Sequence, residues 1–157
     1  MEMKSEIDEA AVWQRVTAAA QEPTASPAQS PSPSEAALLS ALEAGKILGE
    51  TYGSLYRSGN TGYQALYQPQ RQELLQLRGL WALHYRTNPA IPQKFPPKHS
   101  SYVQKILWLL EAQGQQQQRL ASLSGCFSAP SSDLLSLLAE KAGTRWAWLL
   151  GELGRVS

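Results

Sequence analysis

The sequence predicts an all-α protein built around one bundle of four helices. Apolar residues recur at helical spacing in four long segments. No segment shows the strict alternation of apolar and polar residues that predicts a half-buried strand. The ten prolines fall before the first of these four segments, between segments or at the beginning of one. A chain of 157 residues is long enough for one domain of this kind with a sizeable core.

The N-terminal part of the chain is predicted to be separate from the bundle. Residues 21–34 are rich in Ala, Ser, Gln and Pro, which predicts a linker with no regular helix. Before it, residues 6–20 show a short helical pattern, and we expect a helical arm that docks Trp13 on the bundle. A frayed tail is the alternative. The predicted organisation is therefore an arm and linker over 1–33 and a bundle over 34–157.

The four predicted helices cover residues 34–57, 69–86, 99–123 and 130–153. Ser34 is a predicted N-cap, and Pro69 and Pro130 stand near the first turn, where proline is tolerated. Gly59 and Gly125 follow the first and third helices, as C-terminal glycines do. The apolar stripes consist of Leu38, Leu42, Leu48, Tyr52 and Leu55; Leu74, Leu77, Leu80, Trp81 and His84; Val103, Ile106, Leu107 and Leu110; and Leu134, Leu138, Ala142, Trp146 and Leu149.

The connections between the helices predict the topology of the bundle. Residues 124–129 are short and favour an antiparallel third and fourth helix, and residues 58–68 are compatible with an antiparallel first pair. Residues 87–98 form a proline-stiffened connection that could span ~40 Å at ~3.3 Å per residue. That is enough to run the length of a helix of ~30 Å. A long crossover between two helical hairpins is the ferritin-like arrangement, which we therefore predict.

Several short patterns carry a more specific resemblance. Tyr52 and Leu55 stand three residues apart in the first helix, and Glu73 opens Glu-Leu-Leu-Gln in the second. The third helix contains Glu111, and in the fourth Glu140 opens Glu-Lys-Ala-Gly. With these patterns, residues 34–156 resemble a divergent member of the ferritin-like, rubrerythrin-related proteins. In that family the first and third helices each supply a Glu, and the second and fourth each supply Glu-x-x-His, to bind two metal ions.

The resemblance implies a metal site that is incomplete. Three glutamates would keep ligand positions, while glycine or glutamine stands where the family has one further Glu and both His. No cofactor is expected; di-iron or di-manganese would apply only if the residual site functions. The alternatives are that the glutamates are surface charges, or are buried relics paired with Arg78, Arg119 or Arg145. The retained positions are Glu73, Glu111 and Glu140, and the lost ones are Gly45, Gln76 and Gly143.

Composition and motifs narrow the classes of function. There are 14 basic and 13 acidic side chains, so no basic surplus predicts nucleic-acid binding. No apolar run approaches the ~20 residues of a membrane span, and the acidic N-terminus does not resemble a signal peptide. The single cysteine, Cys126, is predicted to be partly buried and reduced, and the protein to be cytoplasmic.

The predicted function is that of a non-catalytic ferritin-like bundle with a structural or interaction role. One alternative is a residual metal-binding oxidoreductase or metal-storage protein, and another is a helical protein-binding module that forms a homodimer. Helix-interior glycines such as Gly45, Gly49 and Gly53 predict the close approach of large groups, for which we expect tryptophan side chains. The run Gln115–Gln118 is predicted to cover a solvated helix face.

Overall fold

The computed structural model describes residues 32–99 and 101–157, together with Ala10. The predicted arm and linker therefore lie outside the described residues, apart from Ala10, Ser32 and Pro33. The described chain forms four long helices and no strand. The prediction of an all-α protein with four helices is confirmed. The helices are α1 (Pro33–Arg57), α2 (Gln64–Tyr85), α3 (Tyr102–Ser124) and α4 (Ser131–Val156).

Both ends of α1 show why the helix has these limits. Ser32, not the predicted Ser34, is the N-cap, and its hydroxyl accepts a hydrogen bond from the Glu35 amide at 3.2 Å. After the helix Gly59 has φ of 104°, a conformation that glycine adopts without strain. The amides of Gly59 and Asn60 bond back to the carbonyls of Tyr56 and Leu55, which closes the helix in a Schellman motif.

The second helix begins five residues earlier than predicted. A 3₁₀ turn, Thr61–Tyr63, leads directly into α2 at Gln64, so Pro69 lies inside the helix rather than at its start. Proline removes one backbone donor there. Tyr63 and Leu66 are both 1% exposed. The burial of these two side chains favours a helical start ahead of the proline and offsets the lost hydrogen bond.

The apolar core consists of two separate clusters. The buried residues of the first cluster lie at or before Leu42 in α1, at or after Leu77 in α2, at or after Leu120 in α3 and at or before Ala142 in α4. The second takes the opposite halves of the same helices, together with Tyr63 from the 3₁₀ turn. The fully buried members include Leu38, Leu42, Leu77, Leu120 and Leu135 in the first cluster, and Leu48, Tyr52, Leu66, Ile106 and Leu149 in the second.

The helices do not pack equally against one another. The contact between α3 and α4 is the most extensive, followed by α1 with α2 and α1 with α3, while α2 and α4 touch sparingly. No helix within 32–99 and 101–157 is both long and apolar enough to cross a membrane.

Candidate functional site

A layer of buried polar side chains separates the two apolar clusters. On each of α2, α3 and α4 these side chains fall between the residues that the helix gives to the first cluster and those it gives to the second. Five of them have between 0% and 3% of their surface exposed. We call them the polar layer: Gln70, Glu73, Gln113, Gln116 and Arg145.

Glu73 is the centre of the polar layer and is surrounded by donors. Its Oε1 accepts a hydrogen bond from Nη2 of Arg145, and the two side chains form a buried ion pair between α2 and α4. Its Oε2 accepts from the Nε2 atoms of Gln70 and Gln116, both at 3.0 Å. Both carboxylate oxygens are therefore engaged, as a charge so far from water requires.

The polar layer also includes α1 and the neighbouring Arg119. The Nε2 atom of Gln116 donates a second hydrogen bond to the carbonyl of Ala41, at 2.9 Å. The Nη1 atom of Arg119 donates to Oε1 of Gln116 at 2.7 Å. Burial lowers the pKa of Arg119, against the opposing influence of Glu43 and Glu73. All four helices thus contribute a hydrogen-bonding group to one network.

Tyr52, from α1, bonds to another member of the polar layer: its hydroxyl donates to Oε1 of Gln113. Burial raises the pKa of this phenol well above its ordinary value; the nearby Arg145 lowers it and Glu73 raises it further. The phenol is therefore a neutral donor throughout the physiological pH range.

Some groups of the polar layer have no partner. The Nε and Nη1 atoms of Arg145 are buried without a hydrogen bond, as are Oε1 of Gln70 and Nε2 of Gln113. A buried donor without an acceptor costs about 1–3 kcal/mol. The guanidinium therefore still has N–H groups that an additional acceptor would satisfy.

The structure places the three predicted ligands in different environments. Glu73 is in the polar layer, Glu111 is partly buried on α3, and Glu140 is exposed on α4. Among the described residues, no group of three or more His, Cys, Asp or Glu side chains is arranged to hold a metal ion. A di-metal centre needs several carboxylates with imidazole, whereas the one carboxylate of the polar layer faces a guanidinium. The assignment of Glu73, Glu111 and Glu140 as metal ligands stays a prediction.

Of the three positions predicted to have lost a ligand, only one faces the polar layer. A Cβ atom at Gly45 would lie 3.6 Å from Nε2 of Gln70 and 3.7 Å from Nε2 of Gln116. At Gly143 it would lie 2.5 Å from Nε2 of Gln117. The third position, Gln76, is exposed.

The structure also identifies what fills the space beside the glycines. Tyr67 approaches Gly53, where a Cβ atom would be only 2.8 Å from its Cε1. The expected close approach is confirmed at Gly53 and Gly143, whereas at Gly45 and Gly49 the nearest side chains lie at ordinary contact distance. The neighbours of Gly45, Gly53 and Gly143 are glutamine, leucine, arginine and tyrosine side chains. The prediction that tryptophan fills this space is wrong at these three positions. At Gly45 glutamine is favoured because the amides of Gln70 and Gln116 also hydrogen-bond the buried carboxylate of Glu73.

Two members of the polar layer contradict or extend the predictions from sequence. Gln116 is 0% exposed, so the prediction that Gln115–Gln118 covers a solvated face is wrong for this residue. Arg145 is one of three arginines that the sequence offers as the partner of a buried glutamate, and in the structure it pairs with Glu73. The signal in the sequence is its position on the stripe Leu138, Ala142, Arg145 and Leu149, where an arginine faces the core.

A second group of hydrogen-bonded polar side chains lies beside the second apolar cluster. The Tyr102 hydroxyl is 2.9 Å from that of Tyr63 and 2.7 Å from Oε2 of Glu152, which Arg155 also contacts. Because a phenol carries one hydrogen, Tyr102 donates to the carboxylate and Tyr63 donates to Tyr102. Hydrogen bonds from Arg155 hold the pKa of Glu152 below its ordinary value, although burial raises it.

Two further predictions about single residues are wrong. His84, expected on an apolar stripe as a hydrogen-bonded core residue, is exposed, although its Nε2 is 2.9 Å from the hydroxyl of the buried Ser131. Cys126 is exposed rather than partly buried. It follows the last turn of α3, where its thiol lies 3.6 Å from the carbonyl of Ser122.

A cavity of about 470 Å³ opens beside the polar layer, between α2 and α4. These two helices make few direct contacts, which leaves room for it. The cavity combines the buried ion pair with exposed polar and apolar side chains. Its lining consists of Ala65, Gln68, Pro69, Gln72, Glu73, Gln76, Leu138, Lys141, Thr144 and Arg145.

No protein-family model, curated protein or solved structure matches this chain. The polar layer and the cavity beside it are therefore the features from which a function can be inferred.

Proposed function

We propose that this chain is a non-catalytic bundle of ferritin-like topology with a structural or interaction role, and that the Glu73–Arg145 ion pair stands where related bundles hold metal ions. The observation that carries the proposal is the environment of Glu73. Its carboxylate is 1% exposed and is bound by an arginine and two amides. The guanidinium supplies the positive charge that a buried carboxylate needs, and no imidazole joins it.

The make-up of the two apolar clusters supports the proposed topology. The first cluster takes the N-terminal halves of α1 and α4 and the C-terminal halves of α2 and α3. The second cluster takes the other half of each helix. This division follows when α1 and α4 run in one direction and α2 and α3 in the other. That pattern belongs to a ferritin-like bundle and differs from a simple up-down-up-down one.

The connection between α2 and α3 supports the same topology. Along this segment Ile91 packs against the first cluster and Lys94 pairs with Glu43 of α1 at 3.2 Å. Tyr102, which begins α3, packs against the second cluster. Residues 86–101 can span up to ~50 Å at ~3.3 Å per residue. At 1.5 Å per residue the 22-residue helix α2 is only ~33 Å long. The connection is therefore long enough to return along the whole bundle.

Metal analysis tests the proposal. The full chain is purified without chelator, incubated with Fe(II) or Mn(II), freed of excess metal and measured by elemental mass spectrometry. We expect less than about 0.1 metal ion per chain, because Glu73 would have to exchange its hydrogen bonds and lose Arg145 to bind a cation. The variants Glu73→Ala and Glu140→Ala should match the parent protein. Near-stoichiometric uptake that Glu73→Ala abolishes and Glu140→Ala preserves would favour the residual metal-binding protein instead.

A homodimeric interaction module is a second candidate, favoured by exposed leucines on α2 and α4. Leu75 is 59% exposed, Leu83 63% and Leu137 44%. Large exposed apolar side chains such as these are candidate contacts with another chain. Sedimentation equilibrium should then show a mass that rises with concentration, and Leu75→Gln/Leu83→Gln should abolish the rise. Phe95→Gln, at a residue 82% exposed on the connection between α2 and α3, is the matched control. A monomer at all concentrations would contradict this candidate.

A further inference from the structure

The cavity between α2 and α4 has the size and shape of a site for a small organic molecule. Its volume of about 470 Å³ falls within the ~300–1,000 Å³ of ligand pockets in proteins. It is not an enclosed void of the core, because Gln72, Lys141 and Thr144 in its lining are exposed. A molecule from solution can therefore enter it past these side chains.

The chemistry of the lining selects the kind of molecule. Leu138, Pro69 and Ala65 offer apolar surface, while three glutamine amides and one hydroxyl offer hydrogen bonds. The charged groups are Glu73, Lys141 and Arg145, which give a net charge of +1. Because the negative charge of Glu73 is already neutralised by Arg145, the charge left to attract a ligand is that of Lys141. Such a lining favours a monoanion with an apolar body.

Arg145 also lines the cavity and adds a specific attraction. Its side chain is 3% exposed, and its Nε and Nη1 atoms have no hydrogen-bond partner. Buried N–H groups of this kind destabilise the folded protein until an acceptor reaches them. A carboxylate is suited to this, because charge-assisted hydrogen bonds from arginine to carboxylate are short and strong. A phosphate monoester carries nearly two charges at neutral pH and would place the second beside Glu73.

We propose that this cavity binds a small organic carboxylate with an apolar body. The carboxylate lies towards Arg145 and Lys141, and the body packs against Leu138 and Pro69. This inference goes beyond the proposed structural role and does not depend on whether the protein binds metal. Failure of the metal prediction and failure of this one are therefore separate results.

Titrations of the full chain with defined probes test the proposal. The charged probes are octanoate and 2-naphthoate, the uncharged probes with the same bodies are 1-octanol and 2-naphthamide, and inorganic phosphate is the third kind. Calorimetry measures affinity, and ¹⁵N NMR follows the side-chain Nε–H signal of Arg145. We expect at least one carboxylate to bind about ten-fold more tightly than its uncharged partner, a difference of about 1.4 kcal/mol. Its binding should shift the Arg145 signal.

Variants at exposed positions locate the site without disturbing the buried ion pair. Thr144→Phe narrows the cavity and should weaken carboxylate binding at least about ten-fold, whereas Ala147→Phe, exposed on the same helix outside the lining, should not. Lys141→Gln should weaken the carboxylates about three-fold or more and leave the uncharged probes unchanged. Lys98→Gln, at an exposed lysine away from the cavity, is its control.

Three results would overturn the proposal. The first is that neither carboxylate binds the parent protein. The second is that Thr144→Phe binds the carboxylates as tightly as Ala147→Phe does, which would put the site elsewhere. The third is tighter binding of inorganic phosphate than of either carboxylate, which would mean that the cavity is selective for another anion.

Discussion

Two glutamate–arginine pairs in this protein have the same chemistry and opposite surroundings. Glu73 and Arg145 come from different helices, and their side chains are 1% and 3% exposed. Glu152 and Arg155 stand one turn apart on α4, and theirs are 11% and 67% exposed. The first pair lies between two apolar clusters, and the second lies at the rim of one of them.

The difference shows that burial, rather than charge, decides how much an ion pair matters to the fold. In the second pair Arg155 is mostly in water, and Glu152 keeps the hydrogen bond from Tyr102 when Arg155 is removed, so the pair adds little. In the polar layer the remaining partner would stay charged without water, which costs several kcal/mol. The following four predictions test this contrast, in order of decreasing expected effect.

The largest effect should follow from removing Arg145. Arg145→Met leaves the carboxylate of Glu73 buried without its counter-charge, and we expect the free energy of unfolding to fall by about 3–5 kcal/mol. Urea denaturation followed by circular dichroism measures it. Arg155→Met is the matched control, and its unfolding midpoint should stay close to that of the parent protein. Equal losses in the two variants would remove the contrast between the pairs.

Neutralising both buried partners should be less harmful than removing one. In Glu73→Gln/Arg145→Met no charge is left in the polar layer, and an amide can still accept a hydrogen bond from Gln70 or Gln116. We expect the double variant to recover about half or more of the stability lost in Arg145→Met. The same urea experiment decides this, and a double variant less stable than Arg145→Met would show that the glutamate remains useful by itself.

A smaller loss is expected from the tyrosine chain beside the outer pair. Tyr63→Phe removes the hydrogen bond to Tyr102 inside a buried cluster and should cost about 1 kcal/mol. Tyr56→Phe is its control, because that partly buried ring stacks on Tyr67 and its hydroxyl bonds to none of the described residues. If the two variants lose the same stability, the chain of hydroxyl groups has no role in folding.

The smallest effect should be a change in pH dependence at Glu152. Its pKa in the folded protein is below the ordinary value of ~4.3, so its contribution to stability is present above that pH. The contribution is lost as the pH falls through the folded pKa. The stability difference between the parent protein and Glu152→Gln should therefore be largest above about pH 5 and shrink as the pH falls through the folded pKa. In Arg155→Gln, Glu152 is present but has lost its main hydrogen-bond partner. The stability of Arg155→Gln should therefore change less with pH than that of the parent protein, when each is compared with Glu152→Gln. A difference that is constant with pH would contradict the assignment.

The helices and the apolar core could be predicted from the sequence because they depend on local patterns. Leu38, Leu42, Tyr52 and Leu149 were expected on the apolar stripes and are buried. Gly59 was expected at the end of the first helix and has the positive φ that this position requires. Helical periodicity determines both results, and neither depends on which helices are neighbours.

The polar layer could be predicted only in part because it depends on contacts between distant residues. Glu73 and Arg145 are 72 positions apart. Helical periodicity can place each of them on a core-facing stripe, but it cannot show that the two side chains meet. Gln116 was assigned to solvent because glutamine is usually exposed. The start of α2 was missed for a related reason: the burial of Tyr63 and Leu66 outweighs the local signal of Pro69.

The polar layer also sets how the four helices are aligned along the bundle axis. Leucines are interchangeable along an apolar stripe, so a helix that slides by one turn, about 5.4 Å, could repack its leucines at moderate cost. The same slide would move Glu73 away from Arg145, or Gln116 away from the carbonyl of Ala41, and leave buried polar groups unpaired. The network thus makes neighbouring alignments unfavourable, as a single polar residue does in a coiled coil.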